Sequence, residues 1–376
     1  MAVIQGTRYT WSDTTNEAID MTSALDSLHP TDVPFLMRIG KSSLRKACTA
    51  VKHEWLEEDI RGQTSTVQDN PLTNVATTLN VATGDGTKFR ADDVLILENE
   101  LVTVTAVATD ALTIIRGAGG SSAVQHAQGT VVTLESSAKL QGADPGEART
   151  VTKAGRYNYT QIFEETVKAT ATMQATDKWT AQNDVEHQIG IQLEVLATNF
   201  EKALLFGRKA QGTSSVRGMM DGVRAVLSTN VYDKSGAALT QAMWEDAAQD
   251  VWTYGGHVIL AVANAIQHRR IGTFLDPYRD ADYQDEVFGA VITRYKTIFG
   301  TVELMLDRWM PTNEILLLNP ELIGFGPLTG RALGITKLPP KSREYDVWQM
   351  SGEYTSETRL EKSHARIYNL ATTGLF

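Results

Sequence analysis

Residues 176–206 read TDKWTAQNDVEHQIGIQLEVLATNFEKALLF, a stretch in which apolar residues recur at steps of three or four. That spacing keeps them on one face of an α-helix. The residues of the apolar face are Val185, Ile189, Leu193, Leu196, Phe200 and Leu204. No proline interrupts the stretch, and Gly207 stands where helices commonly end. A helix of about 30 residues at about 1.5 Å per residue spans about 45 Å, so we predict a spine that crosses a whole domain.

The composition is that of an ordinary folded protein with an acidic balance. Of its 376 residues, 42% are hydrophobic and 21% are charged, and 35 Lys+Arg against 45 Asp+Glu give a net charge of -10. This balance argues against a protein whose task is to grip phosphate backbones. Cys48 is the only cysteine, which excludes an intrachain disulfide. The sequence shows no secretion-signal pattern and no bilayer-spanning run, so we expect a soluble protein of a reducing compartment.

An apolar segment, residues 1–46, precedes the first strand pattern. A short helical pattern follows Trp11, and Pro30 and Pro34 then interrupt the chain. A segment this apolar needs a surface to lie against, either the core of its own chain or a neighbouring subunit. We interpret it as an N-terminal arm.

Two strand-like segments flank a stretch with a different residue pattern. Residues 47–55 alternate as a strand does, and residues 151–172 form a matching segment, which suggests the legs of an extended hairpin over 47–74 and 137–172. Such a hairpin is only marginally stable by itself, so it needs a partner chain. Between the legs, residues 75–136 show short Val-, Thr- and Leu-rich strands separated by glycine-containing turns. This pattern predicts an inserted small β-barrel or sandwich.

The chain after the spine alternates between helical and strand patterns. A helix is predicted at Thr240–Tyr254, a buried strand at His257–Ala263 and a second helix at Asn264–Thr273. The apolar run Ile315–Leu318 predicts another buried strand, and Asp346–Leu370 alternates as strands do. This alternation indicates a compact domain with a central sheet, and the whole chain is assigned to the α+β class.

One motif imitates the end of a phosphate-binding loop. It is Gly40-Lys41-Ser42, but Phe35 stands where that loop needs its first glycine, directly after Pro34. A nest of backbone amides cannot form there, so nucleotide binding is not expected. The acidic segment Asp276–Glu286 lacks the spacing of a calcium loop. We interpret it as a solvated loop, with cation binding between subunits as the alternative.

Residues for catalysis or metal binding do not converge in this sequence. The seven histidines are scattered and show no metal-ligand spacing. No serine lies in a nucleophile-elbow motif, and Cys48 has only mildly basic neighbours, Lys46 and Lys52. Basic residues such as Lys41 and Arg45 are too few, and lack the interleaved aromatics, for a nucleic-acid reader. We therefore predict no catalytic, cofactor-binding or metal-binding residue and no enzymatic activity.

The order of the parts and several short motifs carry a family resemblance. An apolar arm, an extended hairpin, a long spine helix, an α/β domain and returning C-terminal strands follow one another. The motifs are Tyr9–Trp11, Glu17–Asp20, Leu28–Phe35, Met310-Pro311, Ile315–Pro320, Gly352–Tyr354 and Glu361–Ala365. Over most of its length the chain thus resembles the major capsid protein of tailed bacteriophages, which has the Hong Kong 97-type fold.

The resemblance implies a division into domains. The implied parts are an N-terminal arm (1–46), an extended loop (47–74 and 137–172), a peripheral domain with the spine helix (173–239 and 340–376) and an axial α/β domain (240–339). The predicted β-module at 75–136 departs from the minimal fold and is an insertion in the extended loop.

The function that the resemblance implies is assembly rather than catalysis. Copies of the chain would form pentamers and hexamers of an icosahedral shell around a double-stranded DNA genome. The implied partners are the chain itself, a scaffolding protein, a portal and a possible decoration protein; packaged DNA would be contacted only weakly, and no membrane is involved. The protein would be assembled in the host cytoplasm and would reside in the capsid of the virion. No covalent lysine–asparagine cross-link of the kind that some relatives form is predicted.

Two alternatives stay open. The first is an encapsulin-like shell protein of a cellular nanocompartment, which shares the fold. The second is a carbohydrate-binding or enzymatic protein whose site lies in the β-module at 75–136. A cleft with converging ionisable groups would favour the second alternative, and the sequence shows no such set.

Overall fold

The computed structural model describes residues 32–44, 46–58, 62–144, 153–176, 184–275, 293–339 and 344–373. The chain divides into two compact units. Unit 1 consists of Met1–Trp55 and Arg156–Phe376, and unit 2 is Leu56–Gly155. The chain therefore leaves unit 1 once and returns to it once.

Among the described residues the six α-helices all lie in unit 1, whereas unit 2 is built of strands. The helices are α1 (Pro34–Ile39), α2 (Ala171–Ala175), α3 (Asp184–Phe206), α4 (Val223–Val226), α5 (Gln241–Thr253) and α6 (Ala265–Leu275). The strands up to α2 are β1 (Lys52–Glu57), β2 (Thr64–Thr66), β3 (Thr78–Asn80), β4 (Asp93–Leu97), β5 (Glu100–Ala108), β6 (Ala111–Ile115), β7 (Val131–Ser137), β8 (Ala154–Tyr159) and β9 (Gln161–Thr170). The later strands are β10 (Val231–Asp233), β11 (Leu260–Ala263), β12 (Thr293–Thr297), β13 (Gly300–Leu306), β14 (Ile315–Leu318), β15 (Ile323–Pro327), β16 (Gly334–Leu338), β17 (Tyr345–Thr358) and β18 (Ala365–Tyr368).

The spine helix is α3, whose 23 residues span about 35 Å. Leu196, Phe200 and Leu204 are buried, which confirms the predicted apolar face. The ring of Phe200 meets Phe163 and Phe325 edge to face, with ring centroids 5.1 Å apart in both pairs. The spine therefore packs its apolar face against strands β9 and β15.

The described part of the helix starts later than the predicted Thr176. Thr176 has an extended backbone (φ -86°, ψ 125°) and follows the separate short helix α2. Thr170 Oγ1 accepts the N–H of Met173 (3.2 Å), and Thr176 Oγ1 donates to the carbonyl of Thr172 (2.7 Å). Such side-chain bonds to the backbone favour a short capped turn over a continuous helix. Residues 177–183 lie outside the described residues.

A four-stranded sheet in unit 1 packs against α3. Its strand β17 pairs with β15, β16 and β9. Along the whole of β9 the pairing with β17 is antiparallel, from Thr170 opposite Tyr345 to Gln161 opposite Tyr354. The predicted second hairpin leg thus enters this sheet over β9, and its β8 portion pairs with β1.

A six-stranded sheet in unit 1 has the order β10-β18-β14-β11-β13-β12. Its central strands β11 and β14 are antiparallel to each other, and every residue of both is buried. Continuous apolar runs are typical of strands that are covered on both faces. The predicted buried strand at Ile315–Leu318 is therefore confirmed.

Helix α5 confirms the prediction for Thr240–Tyr254. Trp244 and Val251 are fully buried on its inner face. Thr240 caps the helix, since its Oγ1 accepts the N–H of Met243 at 3.3 Å. A capped helix with one apolar face is what the sequence pattern predicted.

A buried histidine links the six-stranded sheet to the segment before β18. Nδ1 of His364 accepts the N–H of Asn319 (3.1 Å), and Nε2 donates to the carbonyl of Arg359 (3.2 Å). Burial lowers the pKa of His364 to about 4, although the Arg359 carbonyl and the charge of Glu361 act in the opposite direction. The folded chain therefore holds this ring neutral.

We expect acid to destabilise unit 1 through His364. An unfolded histidine takes up a proton near pH 6.5, whereas the buried ring does so only near pH 4. Stability is therefore lost as the pH falls from 6.5 to 4, on the order of 3 kcal/mol from this group. Glu201 and Asp307 titrate alike in the wild type and in His364→Gln, so the difference between the two proteins isolates His364. Urea unfolding followed by tryptophan fluorescence should show the stability of the wild type falling relative to His364→Gln by this amount between pH 6.5 and 4. The exposed His257→Gln is the matched control; a difference between wild type and His364→Gln that does not change with pH would contradict the prediction.

Unit 2 is built on a six-stranded sheet with the order β2-β7-β4-β5-β6-β3. Val67 and Val81, which follow its first and last strands, form an antiparallel bridge, and the N–H of Gln68 donates to the carbonyl of Asn80 (2.8 Å). The sheet therefore closes on itself around an apolar core. The core includes Leu72, Leu79, Leu95, Leu97, Val102, Val104, Leu112 and Val132. Strands β3 to β6 lie where the alternation within 75–136 predicts them, and β2 joins the sheet from before that range.

A buried ion pair, which we call the Glu100 cluster, holds the loop between β6 and β7 onto β5. The Glu100 carboxylate accepts two bonds of 2.6 Å from Arg116 and lies 3.0 Å from Nε2 of His126. It also accepts the N–H groups of Gly117 (3.2 Å) and Val124 (3.1 Å). Burial by itself raises the pKa of Glu100, but these donors, with Arg116 the strongest, lower it to about 2.

Candidate assembly surfaces

Strands β1 and β8 pair with each other in a two-stranded sheet, which we call the ribbon. Leu56 on β1 is 68% exposed, and Val51 just before the strand is exposed as well. On β8 the first four residues, 154–157, are exposed. A two-stranded ribbon is marginally stable in water by itself, and apolar side chains in solvent add to this cost. The ribbon is therefore suited to packing against another molecule.

An aromatic ring at the ribbon is held between two lysines. Nζ of Lys52 and Nζ of Lys209 each lie 4.5 Å from the ring centroid of Tyr157. Lys52 also pairs with Glu54, and Lys209 pairs with Asp221 at 3.3 Å. Cation–π contacts at exposed sites contribute about 0.5–1 kcal/mol each, so they fix the position of this exposed tyrosine.

The later part of the predicted arm (1–46), from Asp32 onward, is anchored on unit 1. Arg308 Nη2 donates to the Asp32 carboxylate (2.8 Å), and Trp309 Nε1 donates to the Asp32 carbonyl (2.9 Å). Phe35 in α1 is fully buried in the same core as the spine helix. From Asp32 onward the predicted arm is therefore packed on its own chain; residues 1–31 lie outside the described part of the chain.

Two fully buried carboxyl groups belong to the same anchor. Glu201 on the spine accepts the N–H of Leu36 at 3.0 Å, and Asp307 accepts the N–H of Trp309 at 2.7 Å. Oε1 of Glu201 and Oδ2 of Asp307 are buried without a hydrogen-bond partner among the described residues. Burial raises the pKa of Glu201 to about 8, the charge of Asp307 adds to the rise, and the Leu36 N–H opposes it. Burial also raises the pKa of Asp307 to about 6, against the effect of the Trp309 N–H.

The motifs considered for chemistry are engaged in the fold itself. The N–H of Gly40 donates to the carbonyl of Leu36 at 2.8 Å, so it closes α1 rather than facing a phosphate. Cys48 is buried, its thiol donates to the carbonyl of Pro327 (3.5 Å), and burial raises its pKa. The acidic segment 276–286 lies outside the described residues.

The histidines occupy separate places. His53 lies 3.1 Å from Glu357, His126 belongs to the Glu100 cluster, and His364 bonds to backbone groups. Within the described ranges, no group of three or more His, Cys, Asp or Glu side chains is arranged to hold a metal ion. No helix in these ranges is long and apolar enough to cross a membrane.

The sequence analysis missed the buried carboxyl groups, although a signal for two of them was present. Glu201 precedes the buried Leu204 and Leu205 by three and four residues, which places it on the inner side of the helix. Glu100 is in phase with the buried Val102 on β5, so alternation places it inside the barrel. A carboxyl group at an inward position indicates a buried partner.

Solved structures that resemble this chain over nearly its whole length define its class. Mycobacterium phage Adephagia has 8% identity and a TM-score of 0.51, covering 98% of this chain and 99% of that chain. Microbacterium phage Oxtober96 has 13% identity and a TM-score of 0.50 (96% and 98%), and the capsid of the native GTA particle has 9% identity and a TM-score of 0.50 (97% and 99%). The mixed helix and sheet architecture is therefore the Hong Kong 97-type capsid fold, as predicted.

The family model of the SU10 major capsid protein matches residues 4–371, and the chain belongs to that family. No curated protein matches the chain. The family assignment makes the chain a major capsid protein, a structural subunit whose copies assemble into the shell of a bacteriophage virion. It favours this function over the nanocompartment shell and over the carbohydrate-binding or enzymatic alternatives.

Proposed function

We propose that copies of this chain form pentamers and hexamers that close into an icosahedral shell around a double-stranded DNA genome. The match to the major capsid family over residues 4–371 carries this proposal. The exposed ribbon supports it, because its apolar side chains need a cover that a neighbouring copy supplies. The net charge of -10 fits a container whose wall must not bind its DNA tightly.

The proposal assigns a task to each part of the chain. The part of the predicted arm (1–46) that precedes Asp32 and the ribbon of the extended loop (47–74 and 137–172) lie across neighbouring copies, and the inserted β-module (75–136) reinforces or projects from the shell. The peripheral domain (173–239 and 340–376) and the axial domain (240–339) form the body of the subunit. The anchor at Asp32 marks the point at which the arm joins the body of its own subunit.

The proposal also includes further partners. A separate scaffolding protein directs assembly in the host cytoplasm. A portal interrupts the shell, and a decoration protein is a further candidate partner. The subunit acts as a structural element rather than as an enzyme.

Negative-stain microscopy and analytical ultracentrifugation of the purified chain test the proposal. The wild type is expected to form closed shells or ring-like capsomers. Leu56→Asp places a charge on the ribbon and is expected to reduce assembly, because the carboxylate must be desolvated in the contact.

The matched control is Leu56→Met, which keeps an apolar side chain at the same place in the ribbon and is expected to assemble as the wild type does. A wild type that stays a folded monomer at high concentration would exclude the proposed function. Equal assembly of Leu56→Asp and Leu56→Met would exclude the ribbon as a contact surface.

A further inference from the structure

A group of exposed aromatic side chains lies at the end of helix α5 in unit 1. Trp252 is 56% exposed and Tyr254 is 53% exposed. The helix ends in a hydrogen-bonded turn: Gly255 adopts a positive φ of 81°, and its N–H donates to the carbonyl of Trp252 at 2.8 Å. Gly256 then packs so closely on Ser363 that an added Cβ would lie 2.7 Å from its Cα. The two aromatic side chains therefore project from a rigid backbone.

A second apolar element, the turn between β12 and β13, meets this helix end. The turn consists of Ile298 and Phe299, and Ile298 is 91% exposed. Thr297 holds the turn: its Oγ1 accepts the N–H of Phe299 (3.2 Å) and donates to the carbonyl of Gly300 (2.9 Å). The ring centroids of Phe299 and Trp252 lie 6.2 Å apart, so the two elements form one surface. We call Trp252, Tyr254, Ile298 and Phe299 the turn patch.

Ile298, Trp252 and Tyr254 contribute little burial to a single copy, whereas Phe299 is half-buried and packs against Trp252. Short hairpin turns favour Asn, Asp and Gly, which are compatible with both the backbone and water. An isoleucine that is 91% exposed contributes almost no burial energy to its own chain. Contiguous aromatic and aliphatic side chains in solvent are instead the composition of the centre of a protein–protein interface.

Charge indicates which partner covers the turn patch. Lys296 lies two residues before Ile298 and is exposed, and Nζ of Lys362 lies 5.3 Å from the ring centroid of Tyr254. Two lysines therefore lie beside the patch, together with the exposed Asp250 of helix α5, whereas the chain as a whole has a net charge of -10. A second copy carries this net negative charge, which attracts the two lysines.

We propose that the turn patch is a contact between neighbouring copies of this chain, with Ile298 and Trp252 inserted into an acid-bordered surface of the adjacent copy. This inference rests on the proposed function, since it takes the partner from shell assembly. A ring of copies needs contacts between two different surfaces of the chain, so the turn patch of one copy contacts a different face of the next copy. Ile298 and Trp252 then act as the central anchors of that contact.

Assembly of Ile298→Asp, compared with Ile298→Leu, tests the proposal. The aspartate variant is expected to raise the chain concentration needed for half-maximal assembly by about tenfold or more, because an anchor becomes a charge that must be desolvated. The leucine variant keeps an apolar side chain of the same volume and is expected to assemble as the wild type does. Circular dichroism and thermal unfolding of the unassembled chain are expected to be unchanged in both, because Ile298 is exposed in the single copy.

A photo-cross-linking residue, p-benzoylphenylalanine, placed at position 298 identifies the partner directly. Cross-linked dimers in assembled particles are expected, with the cross-link on an acidic face away from the turn patch. Cross-links confined to one chain, or equal assembly of Ile298→Asp and Ile298→Leu, would overturn the inference while the wild type still forms shells. Failure of the wild type itself to assemble would instead overturn the proposed function, and this inference with it.

Discussion

Replacing Glu100 with alanine is expected to lower the free energy of unfolding of unit 2 by about 3–5 kcal/mol. The substitution leaves the buried Arg116 guanidinium without its carboxylate, and it removes the acceptor for the N–H groups of Gly117 and Val124. A buried charge and buried donors without partners cost more than the lost bonds themselves. The loop between β6 and β7 should therefore detach from β5 before the rest of the barrel opens.

Hydrogen exchange of peptides from residues 56–155 in the full chain measures this effect. All seven tryptophans lie outside that range, so tryptophan fluorescence follows unit 1 and serves as an internal reference. The matched control is Glu98→Ala, because Glu98 is exposed and its carboxylate lies 3.3 Å from Nδ1 of His126. That contact joins an exposed carboxylate to a buried ring, and its loss is expected to cost less than the loss of the Glu100 carboxylate with its several donors. Equal protection of the unit 2 peptides from hydrogen exchange in Glu100→Ala and Glu98→Ala would contradict the prediction.

The Glu100 cluster also predicts how unit 2 responds to acid. The pKa of Glu100 lies at about 2 in the folded chain, below the ordinary value of 4.5. The Glu100 carboxylate therefore contributes its full stabilisation at a pH above its ordinary pKa of 4.5, and this stabilisation is lost as the pH falls through about 2. Peptides of unit 2 should keep their protection from exchange down to pH 4 in the wild type.

Replacing Glu201 with glutamine is expected to stabilise unit 1 by a few kcal/mol at pH 8, an order-of-magnitude value from its shifted pKa. The pKa of Glu201 rises from 4.5 to about 8 on folding, because the carboxyl is buried near the charge of Asp307. The unfolded chain loses this proton above pH 4.5 while the folded chain keeps it. Stability therefore falls as the pH rises from 4.5 to 8, and glutamine, which does not titrate, removes that loss.

Urea unfolding between pH 4.5 and 8, followed by tryptophan fluorescence, tests this expectation. Glutamine keeps an oxygen that accepts the N–H of Leu36, so the anchor of α1 on the spine is retained. The control Glu194→Gln changes an exposed carboxyl on the same helix and should leave the pH profile of the wild type unchanged. The expectation fails if the wild type and Glu201→Gln lose stability in parallel over this range. Asp307, whose pKa rises to about 6 for the same reason of burial, contributes in the same direction and remains in both proteins.

Elements with a strong local pattern were predictable from the sequence. The apolar face of the spine through Leu196, Phe200 and Leu204, the capped helix after Thr240 and the buried strand Ile315–Leu318 all form where expected. Their periodicity and caps are set by residues within a few positions of one another. The order of these parts was sufficient to indicate the capsid class. The limits of the predicted domains, by contrast, stay predictions.

The tertiary structure decided which polar residues are buried and which strands meet. Glu201 contacts Leu36 across 165 residues, and β9 pairs with β17 although the sequence placed it in a hairpin leg. The turn patch exists only because the fold brings Phe299 to Trp252. Local patterns predict whether a side chain points inward or outward, but they do not predict which distant residue it contacts. The sequence by itself thus determined the helices, the strands and the class of this protein. Long-range packing decided which charges are buried and which surfaces stay exposed for contacts, because burial and exposure depend on residues far apart in the chain.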